Sequence, residues 1–379
     1  MASSRPPAND AAPTPAPGVR KGRGATLNPD NRYAALTRVA VDDGWSSPAA
    51  ETASGLREDP PPPKTVVRIQ QARTIISRND SPDIPYTQSI NPYQGCEHGC
   101  IYCYARPSHA YLDLSPGLDF ETQLFAKPNA AELLRRELAR PGYRCDPIAL
   151  GANTDPYQPI EREWRITRQV LEVLAECDHP LTITTKGALI ERDLDLLADL
   201  ASRRLVRVHI SIAMLDRDLA RRLDPRAAAP HRRLELIERL ASAGVPVGVL
   251  VAPVIPQLTD HELERILEAA AAAGATHAGW SMLRLPREVA PLFRAWLTAH
   301  YPLRAEHVMS IVRDIRGGRD NDSRFGERMR GQGEYASLIR NRFELACKRL
   351  SIDRDRTPPL DCTRFRPPRE RPDPQLDLF

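Results

Sequence analysis

Short apolar runs alternate with amphipathic segments through the middle of the chain. Six such runs are each followed by a segment with helical periodicity; for example, PIALGAN precedes ITRQVLEVLAEC, and LTITTKG precedes ERDLDLLADLASRR. Strands that are apolar along most of their length are typical of parallel sheets, whose faces are covered by helices. The pattern therefore predicts six βα units and an α/β fold, either barrel-like or an open sheet.

Two proline-rich regions flank this repeat. Residues 1–65 are rich in Pro, Ala, Arg and Gly and show no sustained period, which predicts a mostly disordered leader. Residues 66–305 contain the repeat, and residues 306–354 read as a basic helical extension. Residues 355–379 are again rich in Pro and Arg, which predicts an extended tail.

Composition adds constraints on location. Hydrophobic residues make up 41% of the 379 residues, as in a soluble globular protein. No run approaches the roughly 18 apolar residues that a membrane helix needs, and the N-terminus lacks the apolar core of a secretory signal. We therefore expect a cytoplasmic protein that does not associate with membranes. Its net charge of +4 implies only mild affinity for polyanions.

Three of the seven cysteines lie in one short loop, NPYQGCEHGCIYCYARP, directly after the first predicted strand. Cytoplasmic thiols stay reduced, so clustered cysteines indicate a metal site or catalysis rather than disulfides. Cys96, Cys100 and Cys103 could bind three irons of a cubane cluster and leave the fourth iron open. A structural zinc site completed by His98 or Cys362 is the alternative, although no second pair of closely spaced ligands is present.

The sequence CEHGCIYC, placed after the first strand of a sixfold βα repeat, resembles the radical S-adenosylmethionine (SAM) superfamily, with Tyr102 as the aromatic residue of its motif. This resemblance implies a partial (β/α)6 TIM-type barrel and a 4Fe-4S cluster whose open iron binds SAM. Reductive cleavage of SAM would then yield a 5′-deoxyadenosyl radical, with an electron donor such as flavodoxin or ferredoxin. The wider pattern, over about residues 85–300, is most similar to the spore photoproduct lyase branch.

Polar residues follow the other predicted strands, where ligands bind in such folds. Thr154 and Asp155 follow the second strand, Lys186 ends the third, and Ser211 lies in the fourth. Each also has a structural interpretation: a capped turn for the first two, a solvated loop lysine, and a serine bonded to backbone. All four match SAM contacts of the lyase branch, so the resemblance implies that they bind SAM together with Tyr102.

Tyr102 and Tyr104 flank the last cysteine of the loop. The resemblance to the lyases implies that these phenols relay a hydrogen atom, whereas simple aromatic packing over the cluster is the alternative. The lyases also carry a hydrogen-donor cysteine two residues before the hydroxyl residue that contacts SAM, and Ala152 stands there in this chain. Cys145 is close in sequence, but on the wrong side of the strand. The hydrogen-return step of the lyases therefore does not transfer directly.

Residues 313–349 are dense in arginine and glycine and carry three aromatic residues, Phe325, Tyr335 and Phe343. Such a segment suits a nucleic-acid backbone, and a solvated basic helix that closes the base of the barrel is the alternative. Arg284, near the end of the sixth strand, could contact substrate, but packing is the favoured interpretation.

The chain ends in QLDLF behind a proline-rich segment. This pentapeptide resembles the motif by which bacterial repair and replication proteins bind the DNA polymerase sliding clamp. An apolar anchor at the end of a flexible tail suits such docking, whereas a terminus folded back onto the core is the alternative. The residues concerned are Gln375, Leu376, Asp377, Leu378 and Phe379.

Three functional hypotheses follow. The first is a radical SAM enzyme that abstracts hydrogen from nucleic acid, in a reaction related to DNA repair, with the clamp as partner. The second keeps the radical chemistry but acts on RNA or a protein side chain. The third is a non-catalytic, zinc-stabilised adaptor that binds DNA and the clamp.

Overall fold

The structure is a computed structural model and describes residues 18–34, 63–352 and 358–368. Within these residues, ten strands form two sheets. The strands are β1 (Val66–Ile69), β2 (Ile76–Arg78), β3 (Gln88–Ile90), β4 (Tyr93–Gln94), β5 (Gln123–Ala126), β6 (Ile148–Leu150), β7 (Leu181–Thr185), β8 (Val206–Ser211), β9 (Val247–Val254) and β10 (His277–Met282).

Twelve α-helices lie in the described residues. They are α1 (Asp119–Thr122), α2 (Ala130–Leu138), α3 (Glu161–Trp164), α4 (Ile166–Glu176), α5 (Leu194–Ser202), α6 (Arg217–Leu223), α7 (Pro230–Ser242), α8 (Leu263–Ala272), α9 (Val289–His300), α10 (Ala305–Asp314), α11 (Glu327–Arg330) and α12 (Gly333–Leu350). Short 3-10 turns connect some of these elements.

The main sheet has seven strands in the order β10-β9-β8-β7-β6-β3-β2. Strands β3, β6, β7, β8, β9 and β10 run parallel, and only β2 pairs antiparallel, with β3. The sheet is open, because β10 and β2 are edges that do not pair with each other. These six parallel strands with their helices confirm the predicted α/β fold, a partial barrel. We call the carboxyl ends of the parallel strands the mouth and their amino ends the base.

The core forms where apolar strand positions meet apolar helix faces. In β7, Leu181 and Ile183 are fully buried and alternate with less buried threonines. On α4, Val170 and Leu174 lie one helical turn apart and are also fully buried. Each such residue withdraws its side chain from water, and burial of this kind stabilises a domain by about 1.5–3 kcal/mol per large aliphatic side chain.

A second sheet supports the region after β3. Its strands follow the order β1-β5-β4, with β1 parallel and β4 antiparallel to β5. Because β4 comes only two residues after β3, this small sheet fixes the path of the chain as it leaves the mouth.

The extension after α10 packs along the β10 edge of the sheet. Helix α12 lies against α8, where Arg342 pairs with Glu264, and Tyr335 hydrogen-bonds to Asp260. Phe343 is buried. Tyr335, Arg342 and Phe343 of this helix therefore take part in packing, and nucleic-acid binding by the segment stays a prediction.

Part of the predicted leader and part of the predicted tail are folded. Residues 18–34 pack over the cysteine loop, and residues 358–368 pack at the base, where Phe365 contacts the rings of Tyr143 and His179 at 5.4 and 5.2 Å. Composition does not reveal these two segments, because a few buried side chains, rather than a periodic pattern, anchor each of them. The rest of the leader, and residues 369–379 with QLDLF, lie outside the described residues.

The candidate zinc ligand Cys362 also lies at the base, where it hydrogen-bonds to Cys145, rather than beside the cysteine loop. Among the described helices, none combines the length and the apolar character needed to cross a membrane.

Candidate functional site

The three cysteines of the loop come together at the mouth. Cys96 and Cys100 are buried, Cys103 is half-buried, and none is in a disulfide. Burial, with added contributions from the neighbouring thiols, raises the pKa of the Cys100 and Cys103 thiols, and Asp224 raises that of Cys100 further. Lys186 opposes this effect at both thiols. A bound metal would oppose it far more strongly, because its charge stabilises the thiolate.

Glycine permits the tight packing around the loop. Gly99 has φ = +67°, a left-handed conformation that suits glycine. Gly24, from the N-terminal segment, lies so close that a Cβ on it would be 1.9 Å from the carbonyl oxygen of Gly99. No larger residue fits at position 24 without moving the loop.

A buried ion pair stabilises the cysteine loop. Arg106 and Glu121 have fully buried side chains and pair directly. The Arg106 guanidinium also donates to the carbonyl oxygens of Cys100 at 3.0 Å and Gly99 at 3.2 Å. The Glu121 carboxylate in turn accepts the backbone N–H groups of Gly24 at 3.0 Å and Ala25 at 2.8 Å. The pair therefore ties the cysteine loop to the N-terminal segment.

Asp155, in the turn after β6, organises the neighbouring strand end. Its carboxylate accepts hydrogen bonds from the Thr185 hydroxyl at 2.6 Å and from the Lys186 backbone N–H at 2.7 Å. It also lies 3.3 Å from Nδ1 of His98 in the cysteine loop. Asp155 thus connects the turn after β6 to the end of β7 and to the loop.

The contact with His98 is ionic. Burial would lower the pKa of His98, but Asp155 and Cys96 outweigh it and raise that pKa to about 10. Burial would likewise raise the pKa of Asp155, yet His98 and the hydrogen bonds from Thr185 and Lys186 hold it at about 2. His98 thus lies between the carboxylate of Asp155 and the thiol of Cys96.

Thr154 is buried and its hydroxyl donates to the backbone oxygen of Tyr93 at 3.0 Å. The side-chain oxygen of Asn91 accepts the backbone N–H groups of Asn153 at 2.9 Å and Thr154 at 3.4 Å. Asn91 and Thr154 fix this turn against the chain that enters the cysteine loop. SAM binding by Thr154 and Asp155 stays a prediction.

Lys186 and Tyr102 belong to a buried polar network. The Lys186 ammonium lies 5.7 Å from the centre of the Tyr102 ring, and the Tyr102 hydroxyl donates to Asp224. Asp224 also pairs with Arg233 at 3.1 Å, and both side chains are almost fully buried. Burial would lower the pKa of Lys186, but Cys100 and Asp224 raise it above its usual value. Lys186 is therefore a cation beside the cysteines.

Ser211, at the end of β8, is buried and donates to the backbone oxygen of Ala252 at 3.3 Å. Arg233 donates to the backbone oxygen of Ser211 at 3.0 Å. The serine thus adjoins the same network, and its contact with SAM stays a prediction.

Tyr104 differs from Tyr102 because 46% of its surface is exposed. Its hydroxyl donates to the backbone oxygen of Ala152, and the guanidinium of Arg284 lies 5.4 Å from the centre of its ring. The phenol therefore meets position 152, where the lyase branch carries its donor cysteine. Cys145 is at the opposite, amino end of β6 and cannot take that place.

The donor set fits an iron-sulfur cluster. In the parts of the chain that the structure describes, no three His, Cys, Asp or Glu side chains converge as ligands of one metal ion. A zinc site needs all its ligands on a single ion, whereas a cubane cluster takes each cysteine on a different iron, so its sulfurs stay farther apart. Three thiols outside disulfides, beside the cation Lys186, suit the anionic ligand set of a cluster.

Sequence reasoning missed the residues that position this site. Arg106, Glu121 and Asp224 are buried charges. Glu121 binds Gly24 in the supposed leader, and Asp224 binds Tyr102, so both contacts join distant parts of the chain. The one signal in the sequence was that Arg106 lies three residues after Cys103. A charged side chain so close to a predicted metal site is expected to form polar contacts with the loop.

Comparison with known proteins agrees with this geometry. The family profile described as "Radical SAM superfamily" matches residues 90–270, which span the cysteine loop and the strand ends after β6, β7 and β8. An uncharacterised protein of Mycobacterium tuberculosis (strain ATCC 25618 / H37Rv) is 38% identical over 273 residues, 71% of this chain and 80% of that protein. An uncharacterised protein of Methanocaldococcus jannaschii is 26% identical over 197 residues, 52% of this chain and 70% of that protein.

Solved structures share the fold. Spore photoproduct lyase complexed with dinucleoside spore photoproduct has a TM-score of 0.55 and 16% identity, covering 75% of this chain and 79% of the lyase. A variant of that lyase with bound AdoMet and the same dinucleoside has a TM-score of 0.54, with the same identity and coverage. At this identity, the likeness shows a common fold.

Proposed function

This chain belongs to the radical SAM superfamily and is a radical SAM enzyme, and we propose that it abstracts hydrogen from a nucleic-acid substrate held at the mouth. The superfamily uses a 4Fe-4S cluster and SAM. When bound, the cluster supplies the electron that cleaves SAM to a 5′-deoxyadenosyl radical.

The residues of the mouth have distinct roles in this proposal. Cys96, Cys100 and Cys103 hold the cluster, and Lys186 offers a compact positive charge for the SAM carboxylate. Asp155 orients the backbone of Lys186 through a 2.7 Å hydrogen bond. The buried Asp224–Arg233 pair gives this cationic side chain a fixed and dry environment.

The observation that carries the substrate-side proposal is the position of Tyr104. Its hydroxyl meets the backbone at Ala152, and nearly half of its surface remains accessible at the mouth. Tyr104 thus carries a transferable hydrogen on its phenol oxygen, next to the position that the resemblance to the lyase branch assigns to a cysteine. The tyrosyl radical left by the transfer would take one electron from the external electron donor and one proton from solvent, which restores the phenol. Tyr102 is less suited to transfer a hydrogen atom to the substrate, because its hydroxyl donates a hydrogen bond to the buried carboxylate of Asp224.

Two observations support nucleic acid as the substrate class. Solved structures that share this fold include a lyase with a bound dinucleoside photoproduct. In this chain, the exposed Tyr104 lies under the guanidinium of Arg284, a combination that suits a base and its phosphate. A repair-like reaction on damaged DNA is the form of the proposal that we favour.

The test begins with anaerobic reconstitution of the full chain with iron, sulfide and reductant. We expect 5′-deoxyadenosine to form from SAM, and ultraviolet-irradiated DNA to stimulate it more than intact DNA does. Stimulation by RNA or by a protein instead would support the second hypothesis, action on RNA or a protein side chain. A colourless, zinc-containing protein would contradict the enzyme assignment and favour the adaptor.

The role of Tyr104 is tested by hydrogen return in heavy water, in which the phenol exchanges its proton for deuterium. We expect deuterium in the product with the parent protein and with the control Tyr143→Phe, at the base of the sheet, but not with Tyr104→Phe, while 5′-deoxyadenosine still forms. Unchanged deuterium in Tyr104→Phe would assign the hydrogen return to another group.

The terminal pentapeptide is proposed to recruit the enzyme to the sliding clamp. Its sequence, from Gln375 to Phe379, supports this proposal. The full chain should bind the purified bacterial clamp, and the chain lacking residues 375–379 should not. Equal binding by both chains would remove the clamp motif from the proposal.

A further inference from the structure

The exposed aromatic residues of the described chain share one feature. Four aromatic side chains are largely exposed: Tyr33 (56%), Tyr104 (46%), Tyr111 (70%) and Phe325 (59%). A single exposed ring on a protein surface is ordinary. Here, however, each of the four has an arginine guanidinium above its ring.

The arginine contacts are close. The guanidinium of Arg32 lies 4.7 Å from the centre of the Tyr33 ring and 5.2 Å from that of Tyr111. These two tyrosine rings are themselves 5.6 Å apart. Arg284 lies 5.4 Å from Tyr104, and Arg328 lies 4.7 Å from Phe325. Each ring is therefore held in place by a cation while much of its surface stays accessible.

Three of these rings lie along the loop that connects β10 to α9. At one end of that loop, Arg284 contacts Tyr104 beside the cysteines. At its other end, Glu288 pairs with Arg32, which holds Tyr33 and Tyr111. Tyr104 and the tyrosine pair thus lie along one stretch of the mouth.

Phe325 extends this stretch across the open side of the sheet. Arg328, which lies over Phe325, pairs with Asp83 in the connection between β2 and β3. The segment before α12 therefore links the β10 edge to the β2 edge, on the side where the sheet does not close. We call Tyr33, Tyr104, Tyr111 and Phe325 the aromatic rim.

The charges along the rim are not equivalent. Glu288 pairs with Arg32, and Asp83 pairs with Arg328. Arg284 has no ion pair within the residues that the structure describes, its Nε has no hydrogen-bond partner, and its Nη1 contacts only the sulfur of Met329, a weak acceptor. Asp83 acts on Arg284 electrostatically, but its ion pair is with Arg328. A half-buried cation without an ion pair of its own is unfavourable unless an anion joins it. Arg284 is therefore the position of the rim that most needs an anion.

We propose that the aromatic rim binds an unpaired nucleic-acid strand, with bases stacked on its rings and a backbone phosphate on Arg284. This inference rests on the proposed function and refines its substrate class. Exposed ring faces accept unstacked bases, whereas the bases of a duplex are already stacked and present only their edges. Of the three arginines over the rim, Arg32 and Arg328 are already in ion pairs. The rim therefore offers few free positive charges to the phosphates of a duplex. The damaged nucleotide would enter the mouth from a locally opened strand.

The test is binding of fluorescent oligonucleotides to the reconstituted full chain, measured by anisotropy at several salt concentrations. The probes are single-stranded DNA, single-stranded RNA and duplex DNA of one sequence. We expect single strands to bind more tightly than the duplex, and Tyr111→Ala to weaken single-strand binding by about tenfold, the loss of one stacked base. Arg284→Gln should weaken it and lower the slope of log K against log salt by about 1.

The controls are exposed residues outside the rim. Leu303→Ala removes a side chain that is 99% exposed, and Arg136→Gln removes an exposed arginine on α2. Both variants should bind as the parent does. The bases of DNA and RNA stack on aromatic rings in the same way. The single strand that binds more tightly is therefore identified as the natural ligand of the rim.

Two results would overturn the inference. One is unchanged binding by Tyr111→Ala and Arg284→Gln; if DNA still stimulates SAM cleavage, the proposed function stands and only the rim is wrong. The other is duplex binding as tight as single-strand binding, which would indicate a surface that reads the backbone. If no nucleic acid binds the parent chain or stimulates cleavage, the proposed function fails together with the rim.

Discussion

Cysteines lie at both ends of the parallel sheet, in very different surroundings. At the mouth, Cys96, Cys100 and Cys103 come from one loop. At the base, Cys145 and Cys362 come from distant parts of the chain, and their thiols hydrogen-bond to each other. Burial raises the thiol pKa at both ends, to about 12 for Cys145.

The electrostatic surroundings separate the two groups. At the mouth, Lys186 lowers the pKa of Cys100 and Cys103 against the effect of burial. At the base, the charged neighbour of Cys145 is Asp146, which raises its thiol pKa further. A thiolate is the metal ligand and the nucleophile, and a nearby cation favours it. The two groups of cysteines therefore differ in the cation beside them, not in the direction of their pKa shifts.

The strongest test of this comparison replaces one cysteine from each end. Cys100→Ser should lose the visible absorption of the cluster and reduce 5′-deoxyadenosine formation to background, because one iron loses its ligand. Cys145→Ser, the matched control, should keep both. Iron content and 5′-deoxyadenosine are measured after identical reconstitution, and loss of the cluster in Cys145→Ser would abolish the distinction between the two ends.

The next test compares the ion pairs of the two ends. Glu121→Gln leaves Arg106 buried without a carboxylate, which should lower the free energy of unfolding by about 3–5 kcal/mol. At the base, Asp361 pairs with Arg204, whose side chain is 64% exposed, so Asp361→Asn should cost at most about 1 kcal/mol. Urea unfolding of the two variants gives both values. Similar losses would mean that the mouth does not depend on its buried pair.

Sequence reasoning found what is encoded locally. The spacing of Cys96, Cys100 and Cys103 can be read within one loop, and the alternation of apolar runs predicts the six parallel strands. Lys186 and Asp155 could be placed at the mouth because parallel strands present their carboxyl ends at one edge. The prediction worked for features that depend on residues close together in the sequence.

The missed features depend on contacts between distant residues. Glu121 accepts hydrogen bonds from Gly24 and Ala25, nearly a hundred positions earlier, so no local pattern reveals that the leader folds over the loop. The pairing of Cys362 with Cys145 is equally invisible, and this led to Cys362 being considered as a zinc ligand. Buried charges such as Asp224 and Arg233 also look like surface residues until the fold brings them together.

A smaller effect is expected from the cation of the mouth. Lys186→Met removes the charge proposed for the SAM carboxylate and should weaken SAM binding about tenfold to a hundredfold, as for a hydrogen bond to a charged group. Lys348→Met, on the exposed face of α12, is the control and should not change the affinity. Isothermal titration of SAM into the reconstituted proteins measures both. Equal affinities for Lys186→Met and the parent would exclude this contact.

The smallest effect is expected at the base, where Phe365 fastens residues 358–368. Its ring contacts Tyr143 and His179, so Phe365→Ala should lower the free energy of unfolding by about 1–2 kcal/mol. The amides of Asp361 and Arg366, which donate to Arg204 and Cys177, should then exchange faster with solvent. SAM cleavage should not change, since the mouth is at the other end of the sheet. Arg364→Ala, an exposed neighbour, serves as the control. A loss of SAM cleavage in Phe365→Ala would show that the base supports the mouth.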